Sequence, residues 1–284
     1  MILWIASYPK SGNTWLRTLI SSYYYSDNGV YSDNVINKIG QFPEKRHFTE
    51  FEYNQNIITD TSRFWLKAQQ KINQDRKLRF FKTHNAFGEL NNQKFTNKEN
   101  SIGCIYIVRD PRNVITSLKN HYEMNDEQAL KWMTNENKFI YDVQNFDKDG
   151  YSDFQFISSW ETNYNSWTVQ KQIPIKLVKY ESLLKETYIV FKDIIDFINK
   201  LTGINEKIDK ERLKNSVQTT SFNKLKNNEE KYGFSEAVLS QKTNKKIPFF
   251  FLGPENDWRK ILSDDLKIKL NKIYEKKLTE LSYI

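Results

Sequence analysis

Ile2-Leu3-Trp4-Ile5-Ala6-Ser7-Tyr8-Pro9-Lys10-Ser11-Gly12-Asn13-Thr14-Trp15 is the stretch whose reading decides the fold. Ile2 to Ile5 is an unbroken apolar run, as expected of a strand buried on both faces. A polar turn, Ser7 to Asn13, comes next. Trp15, Leu16, Leu19, Ile20 and Tyr23 then recur at helical spacing. Strand, loop and helix make half of a βαβ unit. The turn also has the chemistry of an anion cradle. Free N–H groups at a helix start and the positive end of its dipole both face an anion. Gly12 lets the backbone approach closely. Lys10 adds a mobile charge, and Ser11 and Thr14 add hydroxyl donors. The turn is not the G-x-x-x-x-G-K-[ST] loop, because its lysine precedes the glycine and the first glycine is missing. Taken alone, it reads equally as an ordinary strand–helix connection with a surface lysine.

The same grammar returns further along. Ile102 to Val108 is a second apolar run, with Cys104 inside it. Asp110 reads as an N-cap and Pro111 as the first helical residue, before Val114 to Tyr122. Ile175 to Tyr180 is a third run, followed by an amphipathic helix through Val190, Phe191, Ile194, Ile195, Ile198 and Leu201. Arg79 to His84 is a further short strand, and Asp264 to Leu281 a charged terminal helix. Asp27 to Tyr53 and Asn91 to Asn100 lack any period. Asn223 to Lys246 is rich in Lys and Asn and is expected to be a mobile loop. No Pro/Ser/Gly-rich linker divides the chain, so one domain over residues 1–284 is expected. The class is α/β: a three-layer, P-loop-like fold with a central, mainly parallel sheet flanked by helices.

Composition narrows the partners. The chain has 284 residues, enough for a real core, and 15% are aromatic, which excludes wholesale disorder. Lys and Arg number 43 against 35 Asp and Glu, a formal +8. That balance suits an anionic partner: nucleic acid, a membrane surface or a phosphorylated small molecule. No apolar run approaches the roughly 20 residues of a membrane span. The N-terminal residues lack the basic region of a signal peptide, so a cytoplasmic protein is expected. One Cys cannot form an internal disulfide or a Cys-based zinc site, and Cys104 reads as core. No His/Cys/Asp/Glu cluster has metal-ligand spacing, and no metal is expected.

Ligands of parallel sheets bind beyond the carboxyl ends of the strands. Arg109 sits at such an end, and only nine of the 43 basic residues are Arg. Arg suits bidentate phosphate contacts. Ser117 lies about two turns into the following helix and, by itself, reads as a surface serine. The chain has three His. His84, after Phe80-Phe81-Lys82-Thr83 at a strand end, suits a general base, although a lone His is more often structural. His47 and His121 read as structural.

In order, these segments resemble the soluble, cytosolic-type sulfotransferases, which use 3′-phosphoadenosine 5′-phosphosulfate as donor. Ser7 through Trp15 is similar to that family's 5′-phosphosulfate loop. Lys82-Thr83-His84 is similar to its catalytic Lys-Thr-His. Tyr106 through Val108-Arg109-Asp110-Pro111-Arg112-Asn113-Val114 to Ser117 resembles its 3′-phosphate site. Tyr180-Glu181 and Thr220-Ser221-Phe222 resemble segments that line its nucleotide pocket. Gly253 and Asp257-Trp258 resemble its C-terminal Gly-x-x-Gly-Asp-Trp. The resemblance implies His84 as general base and Lys10 as stabiliser of charge on the bridging oxygen. It implies Lys82 at the sulfuryl oxygens, the Ser11 to Thr14 amides on the 5′-phosphate and Trp15 stacked on adenine. Arg109 and Ser117 are implied on the 3′-phosphate, with Tyr180, Thr220, Ser221, Phe222 and Gly253 around the nucleotide.

The chain departs from that pattern in places. Phe251-Leu252 stand where the family often has Arg-Lys, with Lys245 and Lys246 nearby as candidates to compensate. Asn256 replaces the last Gly of the C-terminal motif, and Asn13 replaces a common Thr. The chain begins at the first strand, without the family's N-terminal extension, so an acceptor pocket that is more open or differently walled is expected. The acceptor expected is a hydroxyl or amine on a small molecule or glycan, with no nucleic-acid partner. Phe42, Phe48, Phe51, Tyr53, Phe87 and Trp160 read as core rather than acceptor pocket. Three other readings compete. A P-loop-type kinase would bind ATP with magnesium, though neither a Walker A loop nor an acidic magnesium site is visible. A basic nucleic-acid-binding module would grip phosphates, though the basic residues are dispersed among acidic ones. A family member that has lost activity would show the altered C-terminal segment.

Overall fold

The central sheet has four strands: β1 (Ile2–Ala6), β2 (Arg79–Thr83), β3 (Ser101–Val108) and β4 (Ile175–Lys179). In the computed structural model, which describes residues 1–240 and 242–284, their order is β2-β1-β3-β4 and every pairing is parallel. All five residues of β1 are fully buried, as a central strand of a covered parallel sheet requires. Trp4 and Ala6 face one core with Phe81, Cys104 and Tyr106. Leu3 and Ile5 face the other with Phe80, Ile105, Ile107 and Val178.

Helices cover both faces, which gives the three layers. On the second face lie α1 (Asn13–Tyr25), α3 (Thr187–Thr202) and α4 (Lys210–Thr219), through Leu16, Leu19, Ile194, Ile198 and Leu213. On the first face lie α2 (Pro111–His121) and α6 (Asp264–Glu280), through Val114, Leu118, Leu270, Tyr274 and Leu278. Asp110 caps α2 as expected: its carboxylate accepts the Arg112 N–H at 2.9 Å, with Pro111 first in the helix. Phe42, Phe48, Phe51, Tyr53, Phe87 and Trp160 all pack into the first core.

One expectation fails here. The segment expected to be a mobile loop from Asn223 opens instead with α5 (Phe222–Tyr232). Its Lys and Asn residues lie mostly on the solvent side, while Leu225 is buried. The Glu229 carboxylate accepts the N–H groups of Phe249 and Phe250 at 2.7 and 2.8 Å. Composition suggested a loop, but apolar spacing at residues 222 and 225 with a carboxylate anchor at 229 makes a helix. The irregular stretch from Asp27 contains a short helix, Asp33–Ile36, and a 3-10 turn, Lys45–His47. Its residues 40–42 run beside β2, where Lys82 N–H donates to Gly40 O and Phe42 N–H to Lys82 O, both at 2.9 Å.

The Arg112 guanidinium binds the Asp110 carboxylate at 2.7 Å and reaches Asn271 Oδ1 at 2.9 Å and Tyr283 O at 3.1 Å. It thereby joins the start of α2 to α6 and the chain end. Removing one member of a buried pair leaves the other charged and unpaired. Arg112→Ala should therefore destabilise the fold by about 3–5 kcal/mol; urea unfolding measures this, and a loss under about 1 kcal/mol would mean the pair is dispensable.

Candidate active site

Because the four strands are parallel, their carboxyl ends share one edge of the sheet. Each end delivers a candidate. Ala6 leads into the Lys10 loop, Thr83 into His84, Val108 into Arg109 and Lys179 into Tyr180. Ala6 is level with Thr83 and Tyr106, and Val108 with Lys179. These ends open onto one cavity of about 1040 Å³, lined among others by Lys10, Thr14, Lys82, His84, Arg109 and Ser117.

The loop after β1 is built by close approach. Gly12 has φ 98°, and a Cβ there would lie 2.5 Å from Tyr180 Cδ2. Only glycine fits that place. No side chain caps the N-terminus of α1, so its first N–H groups stay available to a ligand. The Asn13 amide does not reach outward. It donates to Ile5 O at 2.9 Å and Ser7 Oγ at 3.1 Å, and so ties the loop to β1. Ser11 is buried with an unpartnered Oγ and does not line the cavity.

His84 is buried at the end of β2. Its Nδ1 lies 2.8 Å from Ser7 O, and a carbonyl oxygen only accepts. Nδ1 therefore carries the proton, and Nε2 keeps a free lone pair. Burial first, then the charge of Lys82, pushes the imidazole down to about 3. Burial also lowers Lys82, against the pull of Glu236. The Lys10 ammonium sits 4.3 Å above the Phe249 ring and has no hydrogen-bonded acceptor among the described residues. Its removal from water lowers it to about 7, against the pull of Glu236 and with Lys82 and Arg109 pushing the same way.

On the far side, the Arg109 guanidinium lies 4.1 Å over the Tyr180 ring. Among the described residues its acceptors are carbonyls at long range, Lys10 O at 3.5 Å and Gly253 O at 3.4 Å, and its Nε has none. Ser117 Oγ accepts from Asn256 Nδ2 at 3.2 Å. Trp15 stands edge-on to Tyr180 and donates its Nε1–H to Thr220 O at 2.9 Å. Tyr180, Phe222, Gly253, Phe251 and Leu252 line the cavity. Thr220 and Ser221 do not; Thr220 acts only through Trp15, and Ser221 is exposed. Lys245 and Lys246 line a separate shallow depression with Lys242, away from Arg109. The Ser240 N–H donates to Lys245 O at 2.9 Å.

His47 is structural, accepting the Glu44 N–H at 3.1 Å. His121 corrects its sequence reading, because the last turn of α2 places it in the cavity wall with an unpartnered Nδ1. Burial and then Lys10 and Lys82 lower it to about 3. Sequence reasoning also missed Arg17 and Glu236. Arg17 NH1 and Thr14 Oγ1 each donate to the Glu236 carboxylate at 2.7 Å, and Lys82 Nζ lies 3.6 Å from it. Burial alone would raise this carboxyl, but Arg17, Lys82 and Thr14 outweigh it and hold it well below the carboxylate range. Arg17 was detectable, since it follows Thr14 by three residues on one helical face. Glu236 lies more than 200 residues away in an unpatterned segment and gave no signal.

Among the described residues no helix is long and apolar enough to cross a membrane. The lowered Lys10 makes a calorimetric prediction. At pH 8 the ammonium is mostly neutral in the free protein, and a nearby anion raises its pKa again. Binding of adenosine 3′,5′-bisphosphate at pH 8 should therefore take up a proton, whereas at pH 6 it should take up far less. Titrations in two buffers of different ionisation enthalpy read this directly. Equal proton uptake at both values would mean that Lys10 stays charged throughout.

Known proteins share this fold. The chain superposes on mouse sulfotransferase SULT7A1 complexed with PAP with a TM-score of 0.57 at 21% identity, over 98% of this chain and 84% of that one. It is 23% identical over 290 residues to the luciferin sulfotransferase of Photinus pyralis, covering 99% of this chain and 72% of that protein. It is 26% identical over 280 residues to human Sulfotransferase 1E1, covering 97% and 83%. Residues 2–282 match the family model of the sulfotransferase domain, and the chain belongs to that family.

Proposed function

We propose that this chain transfers a sulfuryl group from 3′-phosphoadenosine 5′-phosphosulfate to a hydroxyl or amine of a small-molecule or glycan acceptor, working as the single domain that the one family model spans. The observation that carries the reading is the open lone pair of His84 Nε2, on one cavity with two cations, Lys10 and Arg109, that have no anionic hydrogen-bond partner. The donor supplies an activated sulfuryl group and two phosphates. The free N–H groups at the start of α1, together with Thr14, suit the 5′-phosphate. Arg109 suits the 3′-phosphate: its Nε is orphaned and its other donors make only long bonds. Ser117, whose Oγ accepts from Asn256 Nδ2 and keeps its own hydroxyl proton, adds a donor beside it. It replaces part of what Phe251-Leu252 do not offer.

His84 Nε2 takes the acceptor proton as the acceptor oxygen or nitrogen attacks sulfur. Lys10 meets the charge that develops on the phosphate oxygen as its bond to sulfur breaks. Lys82 neutralises the sulfuryl oxygens in flight. His84 is a weak base in the free protein, lowered to about 3 by burial and neighbouring cations. An anion set beside Lys82 and Lys10 offsets those charges and raises its basicity. Two relatives are named for luciferin and flavonol as acceptors. The cavity wall of this chain includes Gln41, Glu44, Asp153 and Gln155, polar groups that suit a hydroxyl or amine acceptor.

His84→Ala should keep nucleotide binding and lower turnover by about 10²-fold or more. Unchanged turnover would remove His84 from proton transfer. Arg109→Ala should cost adenosine 3′,5′-bisphosphate far more affinity than AMP, and equal losses for both would refute the 3′-phosphate assignment.

A further inference from the structure

Glu236 belongs to no element that the chemistry needs, yet its carboxylate is paired with a hydroxyl and two cations inside the cavity. It arrives from the segment after Gly233, where Phe234 and Ala237 anchor the chain in an apolar cluster with Tyr31, Ile36 and Phe250. It makes a direct ion pair with Arg17 at 2.7 Å, accepts the Thr14 hydroxyl at 2.7 Å and faces Lys82 at 3.6 Å. Arg17 is 6% exposed and its Nε is unpartnered. The Arg17 Nε–H is thus donor capacity that the carboxylate does not fill.

In the proposed function Thr14 faces the donor's 5′-phosphate and Lys82 its sulfuryl oxygens, and this inference rests on that reading. Thr14 has one hydroxyl proton, and Glu236 holds it. Arg17 NH1 is committed to the same carboxylate. A second anion beside Glu236 would meet a like charge and lack those donors.

We propose that Glu236 is an internal stand-in for the donor's 5′ anion: it occupies the Thr14–Arg17–Lys82 seat in the free protein, and the donor must displace it to bind. On displacement Arg17 passes from Glu236 to the donor, which makes Arg17 a binding residue of the 5′ end. The carboxylate keeps Arg17 and Lys82 from repelling one another in the empty site. It also lowers apparent donor affinity by the fraction of molecules in which the seat is open.

The test is calorimetric titration of wild-type and Glu236→Gln protein with adenosine 3′,5′-bisphosphate, AMP and adenosine 3′-monophosphate. Glu236→Gln should tighten the two ligands that carry a 5′-phosphate by about tenfold or more and leave the 3′-monophosphate nearly unchanged. Weaker or unaltered binding of the bisphosphate would overturn the stand-in. So would equal tightening of all three, which would mean a general opening of the cavity. If neither protein binds any of the nucleotides, the donor reading falls with it. If the wild type binds and the variant gains nothing, the stand-in alone falls. Should the variant fail to fold, hydrogen exchange on the wild type decides. Amides 234–238 should lose protection with AMP and not with adenosine 3′-monophosphate, and no difference between the two ligands would refute the displacement.

Discussion

Parallel pairing of the four sheet strands is the constraint on which this molecule depends. Parallel strands present all their carboxyl ends at one edge, and their peptide N–H and C=O groups are used up along the ladder. The segment after each strand must then turn over that edge before crossing back. The Lys10 loop, His84, Arg109 and Tyr180 are those four continuations. None is near another in sequence, and the register of β1 with both neighbours sets them around one cavity. Burial of β1 on both faces holds that register, because a slip by one residue would exchange the residues of the two cores.

The site built on that edge is short of anions. Lys10, Lys82, Arg17 and Arg109 converge there, and burial makes each charge more costly than in water. The chain meets the cost in three ways. Lys10 gives up part of its basicity, settling at about 7. Arg109 spreads its guanidinium over the Tyr180 ring. Arg17 and Lys82 share one carboxylate, Glu236. The two imidazoles in the cavity, His84 and His121, stay neutral for the same reason. A site in this condition favours a polyanionic ligand, since every phosphate it takes in relieves repulsion already present.

The C-terminal part of the chain is where this molecule departs most from the pattern its motifs resemble. Asn256, in place of glycine, is built into the site. It accepts from Thr116 Oγ1 at 2.6 Å and donates to Asn113 O and Ser117 Oγ. This hydrogen-bond set fastens the residues after Gly253 to α2, where Arg109 and Ser117 project. Phe251 and Leu252 then face the cavity as apolar wall. The Asn256 side-chain amide thereby positions the segment after Gly253 beside Ser117.

The fold was largely legible in the sequence because its signals are local. A strand buried on both faces must be continuously apolar, and a helix start must carry a cap or a proline, so Ile2 to Ile5 and Asp110-Pro111 could be read without any partner in view. Motif order likewise placed His84, Arg109 and the first loop at strand ends. Composition misled at α5, where solvent-facing Lys and Asn hid the Leu225 contact and the Glu229 anchor. The sequence alone thus determined the α/β order, the strand–loop–helix cradle and the residue types at the strand ends. The tertiary structure alone decided that Glu236 fills the space between Thr14, Arg17 and Lys82, that His121 joins the cavity wall, and that Lys245 and Lys246 do not. Those outcomes depend on contacts across more than a hundred residues, and no short-range periodicity encodes the meeting of two distant side chains.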